Sequence, residues 1–327
     1  MKKVYLFLFA SLVSVPFWLG INLLQKQAQG FFAQKNRSLD ILTAQIHNSP
    51  QQTEIATTSD SCFLNNVSSK SFLILQINPN KPNKILLEKS ITSQMPIASL
   101  TKLMTYLIAG EFYKNEQKVV ILNGPTENST SNQLWANGIL KQGDVFSVQE
   151  LISIMLVESN NEAAFALTKV IGQEGFLDLM NMKAKELGLV NTKFYNSIGV
   201  DPEALQMPLD QTNYSTAFDL ALLAKYLVFN HPDFLSIISQ KEYPVYKNGQ
   251  LVWTLQNTNE LLGEIPEIIG GKTGTTDKAG ECLMEIIKMP QENDYLIAIV
   301  LNSKNRFDDM RMLLFCSQEK IYENGIY

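Results

Sequence analysis

Pro96-Ile97-Ala98-Ser99-Leu100-Thr101-Lys102-Leu103-Met104-Thr105 is the stretch on which the reading of this chain of 327 residues turns. It opens a segment, Leu100 to Phe112, in which Leu103, Leu107 and Ile108 recur at helical spacing. Ser99 stands at the start of that helix and Lys102 three positions on. The two side chains therefore share one face, with the free N–H groups and the dipole of the helix N-terminus beside the hydroxyl. A serine hydroxyl is a poor nucleophile at neutral pH and needs a base within hydrogen-bonding distance. Lys102 can be that base if burial beside another cation, such as Lys272, lowers its pKa. Taken alone, the pattern equally describes a serine N-cap with a solvated lysine one turn on.

Upstream, Phe72-Leu73-Ile74-Leu75-Gln76-Ile77 and Ile85-Leu86-Leu87-Glu88 are β-rich runs split by Asn78-Pro79-Asn80-Lys81-Pro82-Asn83, which predicts an antiparallel hairpin. Downstream, Val148 to Val157, Glu162 to Ile171, Phe176 to Leu187 and Thr216 to Phe229 carry helical periodicity. Strand-like runs come next at Leu251 to Gln256, Ile268 to Thr273, Cys282 to Met289 and Tyr295 to Leu301, before a last helix from Phe307 to about Tyr322. Strands at both ends of the sequence around a helical middle predict an α+β fold. One antiparallel sheet is flanked by helices, with a helical lobe inserted between its halves.

Two further motifs fall on this frame. Ser159-Asn160-Asn161 lies between two helical runs, where a loop can present a hydroxyl and an amide to a cleft. Ser159 would relay a proton to a leaving group and Asn161 would hold a substrate amide. The same residues also read as a helix start in which Ser159 or Asn161 caps the run from Glu162. Gly270-Gly271-Lys272-Thr273-Gly274-Thr275-Thr276 comes directly after Ile268-Ile269 and suits an edge strand whose glycines allow close backbone approach. A phosphate loop is disfavoured, because GxxxxGK[ST] needs glycine where this chain has Pro266, and the residues after Lys272-Thr273 are strand-like rather than helical.

Composition narrows the classes. With 45% hydrophobic and 18% charged residues the chain is globular, and a net charge of -5 leaves no basic surplus for nucleic acid. His47 and His231 are the only histidines and neither sits in a ligand cluster, so no metal and no cofactor are expected. Cys62, Cys282 and Cys316 are too few for a disulfide framework and read as small buried apolar residues, with one pair able to form after export.

After Met1-Lys2-Lys3, an apolar, charge-free run from Val4 to Leu24 is long enough to span roughly 30 Å as a helix. Residues 1–24 are read as a membrane anchor, or as a signal peptide if Ala28-Gln29-Gly30 is cleaved. In either case the remainder is exported. A polar stalk over 25–60 would lead to a catalytic domain over 61–327.

Serine-x-x-lysine, Ser-x-Asn and Lys-Thr-Gly in that order form the signature of penicillin-binding proteins and class A β-lactamases. The longer stretches Met155 to Ala164, Asn257-Thr258-Asn259-Glu260-Leu261-Leu262 and Gly271 to Leu283, with Pro96 to Thr105, resemble the low-molecular-weight D-alanyl-D-alanine carboxypeptidases of peptidase family S11. The likeness runs from about Phe72 to Asn324. It implies the serine β-lactamase / DD-peptidase fold and a cell-wall enzyme, to which the N-terminal run adds a cell-membrane location with the catalytic domain outside the cytoplasm, or secretion if that run is cleaved. Ser99 would attack the bond between two D-alanines of a peptidoglycan stem peptide, with Lys102 as base and β-lactams as covalent inhibitors. The N–H groups of Ser99 and Thr275 would form the oxyanion hole. Lys272, Thr273, Gly274 and Thr275 would line the substrate's terminal carboxylate, and Arg306 matches an arginine that the family keeps near it.

Asn160 departs from the family's usual glycine. The chain ends at Tyr327, about where the catalytic domain should stop, so the β-rich domain and C-terminal anchor of many relatives are expected to be missing. A β-lactamase would need an ExxLN loop, and the nearest stretch, Glu203-Ala204-Leu205-Gln206, lacks the asparagine. A non-catalytic wall-binding or β-lactam-sensing protein is the other alternative, and endopeptidase activity is a variation the sequence does not separate.

Overall fold

The computed structural model describes residues 62, 64–122, 140–247, 249–291 and 293–323. The expected anchor over 1–24 and stalk over 25–60 lie outside them. Among the described residues no helix is long and apolar enough to cross a membrane.

Strands β1 (Ser71–Asn78) and β2 (Lys81–Lys89) form the expected hairpin. Three C-terminal strands, β9 (Ile268–Thr276), β10 (Gly280–Lys288) and β11 (Tyr295–Ser303), complete one antiparallel sheet in the order β2-β1-β11-β10-β9. The N- and C-terminal parts meet where β1 pairs with β11, Phe72 opposite Val300 and Ile74 opposite Ala298. Strand β1 reads as a continuous apolar run because both its faces are covered. Phe72 and Ile74 enter a core with Leu283, Val300, Met310 and Leu313 beneath the last helix, α7 (Arg306–Glu323). Leu73, Leu75 and Ile77 are buried on the other face, where α5 (Ala217–Asn230) packs on β1 and β11.

The helical lobe contains α1 (Lys102–Phe112), α2 (Val148–Val157), α3 (Asn161–Thr168) and α4 (Gln173–Glu186). Ser147 and Glu150 close a reciprocal capping box at the start of α2. Short strands β3 (Met95–Pro96) with β6 (Tyr214–Ser215), and β4 (Lys118–Val120) with β5 (Val145–Ser147), brace this lobe.

Three expectations need correction, and one short helix was not anticipated. Ser99 does not begin an α-helix: it lies in a 3-10 turn, Ala98–Thr101, that feeds α1. Residues 251–256 do not join the main sheet. They belong to β8 (Gln250–Gln256), which pairs only with β7 (Glu242–Lys247), a strand whose Pro244 masks its pattern. The seven-residue helix α6 (Pro232–Ile238) was too short to show a period. The cysteines are not all free apolar fillers, because Cys62 and Cys316 are joined by a disulfide that ties the start of the folded unit to α7 across 254 residues of sequence. Cys282 is buried and free, and burial pushes its thiol up to about 11, so it is a poor nucleophile.

Candidate active site

Three elements converge on one point. The 3-10 turn has three residues per turn, so side chains at i and i+3 eclipse more closely than on an α-helix. Lys102 Nζ accordingly lies 2.8 Å from Ser99 Oγ. The tight turn holds Ala98 at φ 46, in the left-handed region. Strand β9 passes close behind: a Cβ on Gly274 would stand 2.9 Å from the Ser99 backbone nitrogen, so the edge strand can approach Ser99 this closely only with glycine there.

The loop between α2 and α3 supplies the second group of atoms. Asn160, neither Ser159 nor Asn161, is the helix cap, its Oδ1 accepting from the Ala163 N–H at 2.9 Å. With capping assigned to Asn160, the residues on either side point inward. Asn161 Oδ1 accepts from Lys102 Nζ at 2.8 Å, and Ser159 Oγ accepts from Lys272 Nζ at 2.7 Å. Ser159 holds φ 62, a left-handed conformation unfavourable for a residue with a Cβ and typical of functional loops.

Strand β9 brings the third. Lys272 also donates to the Thr273 carbonyl at 2.9 Å, and the Thr273 hydroxyl meets that of Thr258 at 2.6 Å. Arg306, at the start of α7, donates from Nη1 to Gly274 O and to Thr275 Oγ1, both at 2.8 Å. Thus Ser99, Lys102 and Asn161 form one bonded group, Ser159, Lys272 and Thr273 a second, and Gly274, Thr275 and Arg306 a third, with β9 bringing the last two against the turn of Ser99.

Electrostatics follow from burial. Lys102 is fully buried, and desolvation of its ammonium lowers its pKa to about 7. Burial, then the charges of Lys102 and Arg306, push Lys272 well below the usual lysine range. A serine hydroxyl beside an amine that is half neutral near pH 7 can be deprotonated as it attacks a carbonyl. Among the described residues no cluster of histidine, cysteine and acidic side chains could hold a metal ion. Glu203, the nearest residue to a lactamase-type glutamate, is ion-paired with Lys278 Nζ at 2.9 Å.

The family profile described as Peptidase S11, D-alanyl-D-alanine carboxypeptidase, matches residues 53–305. The chain belongs to the S11 D-alanyl-D-alanine carboxypeptidase family. It is 34% identical over 247 residues to D-alanyl-D-alanine carboxypeptidase DacC of Escherichia coli, covering 71% of this chain and 57% of DacC. Identity to DacF of Bacillus subtilis is 30%, over 67% of this chain and 54% of DacF. The chain therefore spans little more than half the length of these S11 relatives. Among solved structures, penicillin-binding protein D2 from Listeria monocytogenes in its cefotaxime-bound form has a TM-score of 0.64 at 29% identity, covering 77% of this chain and 97% of that one.

Within this S11 site, sequence reasoning missed the groups behind the lysines. The Ile198 carbonyl accepts from Lys102 Nζ at 2.6 Å. Asn196, Asn213, Thr101 and Thr105 surround that carbonyl's loop. The Asn-Ser-Ile-Gly run at 196–199 signals a turn, but a backbone acceptor carries no residue signature. Asn259 and Glu285, under β9, were missed for the same kind of reason: they are joined by tertiary contact, Asn259 Nδ2 to Glu285 Oε2 at 2.9 Å.

Proposed function

We propose that the protein is a serine-type D-alanyl-D-alanine carboxypeptidase that acts on peptidoglycan stem peptides outside the cytoplasm and is acylated by β-lactams. The observation that carries this reading is the fully buried Lys102 amine 2.8 Å from Ser99 Oγ, where burial brings the lysine down to about 7. Ser99 Oγ attacks the carbonyl between the two D-alanines as its proton passes to Lys102. The C–N bond breaks as the proton held by the Lys102 ammonium is relayed through the Ser159 hydroxyl to the departing D-alanine nitrogen, which returns Lys102 to its neutral form, and water then hydrolyses the ester with Lys102 again as base. The Ser99 and Thr275 N–H groups receive the oxyanion. Lys272, Thr273, Thr275 and Arg306 provide the cationic and hydroxyl side that suits the substrate's terminal carboxylate.

Export is supported by the apolar N-terminal run and by the Cys62–Cys316 disulfide, a bond that persists in oxidising compartments. The N-terminal segment would anchor the enzyme to the membrane. The cefotaxime-bound form of the Listeria neighbour supports acylation of this chain by β-lactams. The test is release of D-alanine from a stem pentapeptide. Wild type is expected to release it, and Ser99→Ala to release none. Penicillin labelling without D-alanine release would favour a non-catalytic wall-binding protein instead.

A further inference from the structure

Lys102 Nζ has three oxygen partners: Ser99 Oγ at 2.8 Å, Asn161 Oδ1 at 2.8 Å and Ile198 O at 2.6 Å. An ammonium satisfies all three with its three N–H groups. The neutral amine, which is the form that acts as a base, has only two N–H groups and one lone pair. Two of the partners are an amide oxygen and a backbone carbonyl, which have no proton to give. They retain the two N–H groups, and the lone pair is left facing the one partner that carries a proton, the Ser99 hydroxyl. Removing either acceptor lets the amine turn an N–H toward Ser99, an orientation that cannot take its proton.

Asn161 is fixed on α3, but Ile198 O lies in a loop outside helix and strand. What holds it is a set of buried side chains. Asn196 Oδ1 accepts from the Ile198 N–H at 3.2 Å and the Gly199 N–H at 2.7 Å, and its Nδ2 donates to Val200 O at 3.2 Å. Asn213 Oδ1 accepts from the N–H groups of Tyr195 and Asn196 at 2.7 and 3.0 Å, and its Nδ2 donates to Asn196 O and to Thr101 Oγ1 at 2.8 and 3.0 Å. Thr105, on α1 below Lys102, donates to Ser197 O at 2.6 Å. The loop is also pressed onto the nucleophile's turn: Gly199 sits at φ +79, and a Cβ there would overlap the Ala98 carbonyl. Asn213 is 2% exposed and Thr105 0%, so these bonds are shielded from water.

We propose that Asn196, Asn213 and Thr105 are positioning residues that, by fixing the Ile198 carbonyl, aim the Lys102 lone pair at Ser99. This rests on the reading of Lys102 as base given above. Their effect belongs to the chemical step and not to substrate binding, because their bonds run to the 195–200 loop and to Thr101, and none runs to Ser159, Lys272, Thr275 or Arg306.

The test is the kinetics of penicillin acylation, separated into non-covalent affinity, acylation rate constant and final labelled fraction. For Asn196→Ala, the rate constant is expected to fall about 100-fold, the scale on which small misplacements of catalytic groups act, with affinity and a final labelling of one per chain unchanged. Thr105→Val, which removes one hydroxyl without changing the side chain's shape, should show a several-fold fall of the same kind and decides the matter if Asn196→Ala does not fold. Wild-type rate constants in both variants, or a loss of labelled fraction at an unchanged rate constant, would overturn the proposal while leaving the carboxypeptidase reading intact. A wild-type protein that forms no Ser99 adduct at all would remove that reading and this inference with it.

Discussion

Lys102→Met is expected to slow acylation of Ser99 by about 10³-fold, the usual scale for loss of a positioned general base. Methionine fills much the same volume, so the packing around the 3-10 turn is kept while the amine is lost. Lys102→Arg should be equally slow across the whole accessible pH range, because a guanidinium does not give up its proton. The wild-type rate should rise with pH through a midpoint near 7 and level off above it, since only the neutral amine accepts a proton and burial has brought its pKa there. Stopped-time labelling with a fluorescent penicillin measures all three. A Lys102→Met rate within tenfold of wild type, or a rate that falls as pH rises through 7, would show that another group is the base.

The second large effect lies beneath the site. Glu285 on β10 is fully buried opposite Gly271 on β9, so close that a Cβ on Gly271 would overlap the Glu285 carboxyl. One carboxyl oxygen accepts from Asn259, while Oε1 is buried without a hydrogen-bond partner among the described residues. Desolvation of the charged form raises its pKa from 4.5 to about 8. Proton counts set the sign of the effect on stability. Between those two values the folded protein keeps a proton that the unfolded chain has lost, so stability declines as pH rises through that window and levels off above it. The slope is at most ~1.4 kcal/mol per pH unit, giving a decline on the order of a few kcal/mol. Glu285→Gln keeps an acceptor for Asn259 and does not titrate. Urea unfolding from pH 5 to pH 8 should therefore show wild type losing stability relative to Glu285→Gln, and parallel curves would contradict this. Because Asn259 shares its turn with Thr258, which bonds Thr273, the acid also underlies the strand that carries Lys272.

What the sequence disclosed was mostly local. Ser99 and Lys102 were legible because three residues of backbone link them, and their meeting survives the change from α-helix to 3-10 turn. Strands β1, β10 and β11 were legible because burial on both faces makes them long apolar runs, and β9 because Ile268-Ile269 leads into the Lys-Thr-Gly motif. Lys272 and Ser159 were legible as motifs, although only the fold puts 2.7 Å between them. Interactions set by tertiary closure were not legible. The Cys62–Cys316 bond spans 254 residues, and nothing in three scattered cysteines chooses that pair. Asn160 looked like a bystander between two functional residues, yet by capping α3 it leaves Ser159 and Asn161 to meet Lys272 and Lys102. The Ile198 carbonyl is invisible to any reading of side chains, and Asn196 and Asn213 belong to no motif that marks them, since only the folded loop resting on Lys102 gives them a role.

Intact-mass measurement after exposure to penicillin, on wild type and Ser99→Ala side by side, probes the role of Ser99 without intermediaries. Wild type is expected to gain the mass of one penicillin per chain, and Ser99→Ala to gain nothing. No gain in wild type, or an equal gain in the variant, would mean that Ser99 is not the nucleophile.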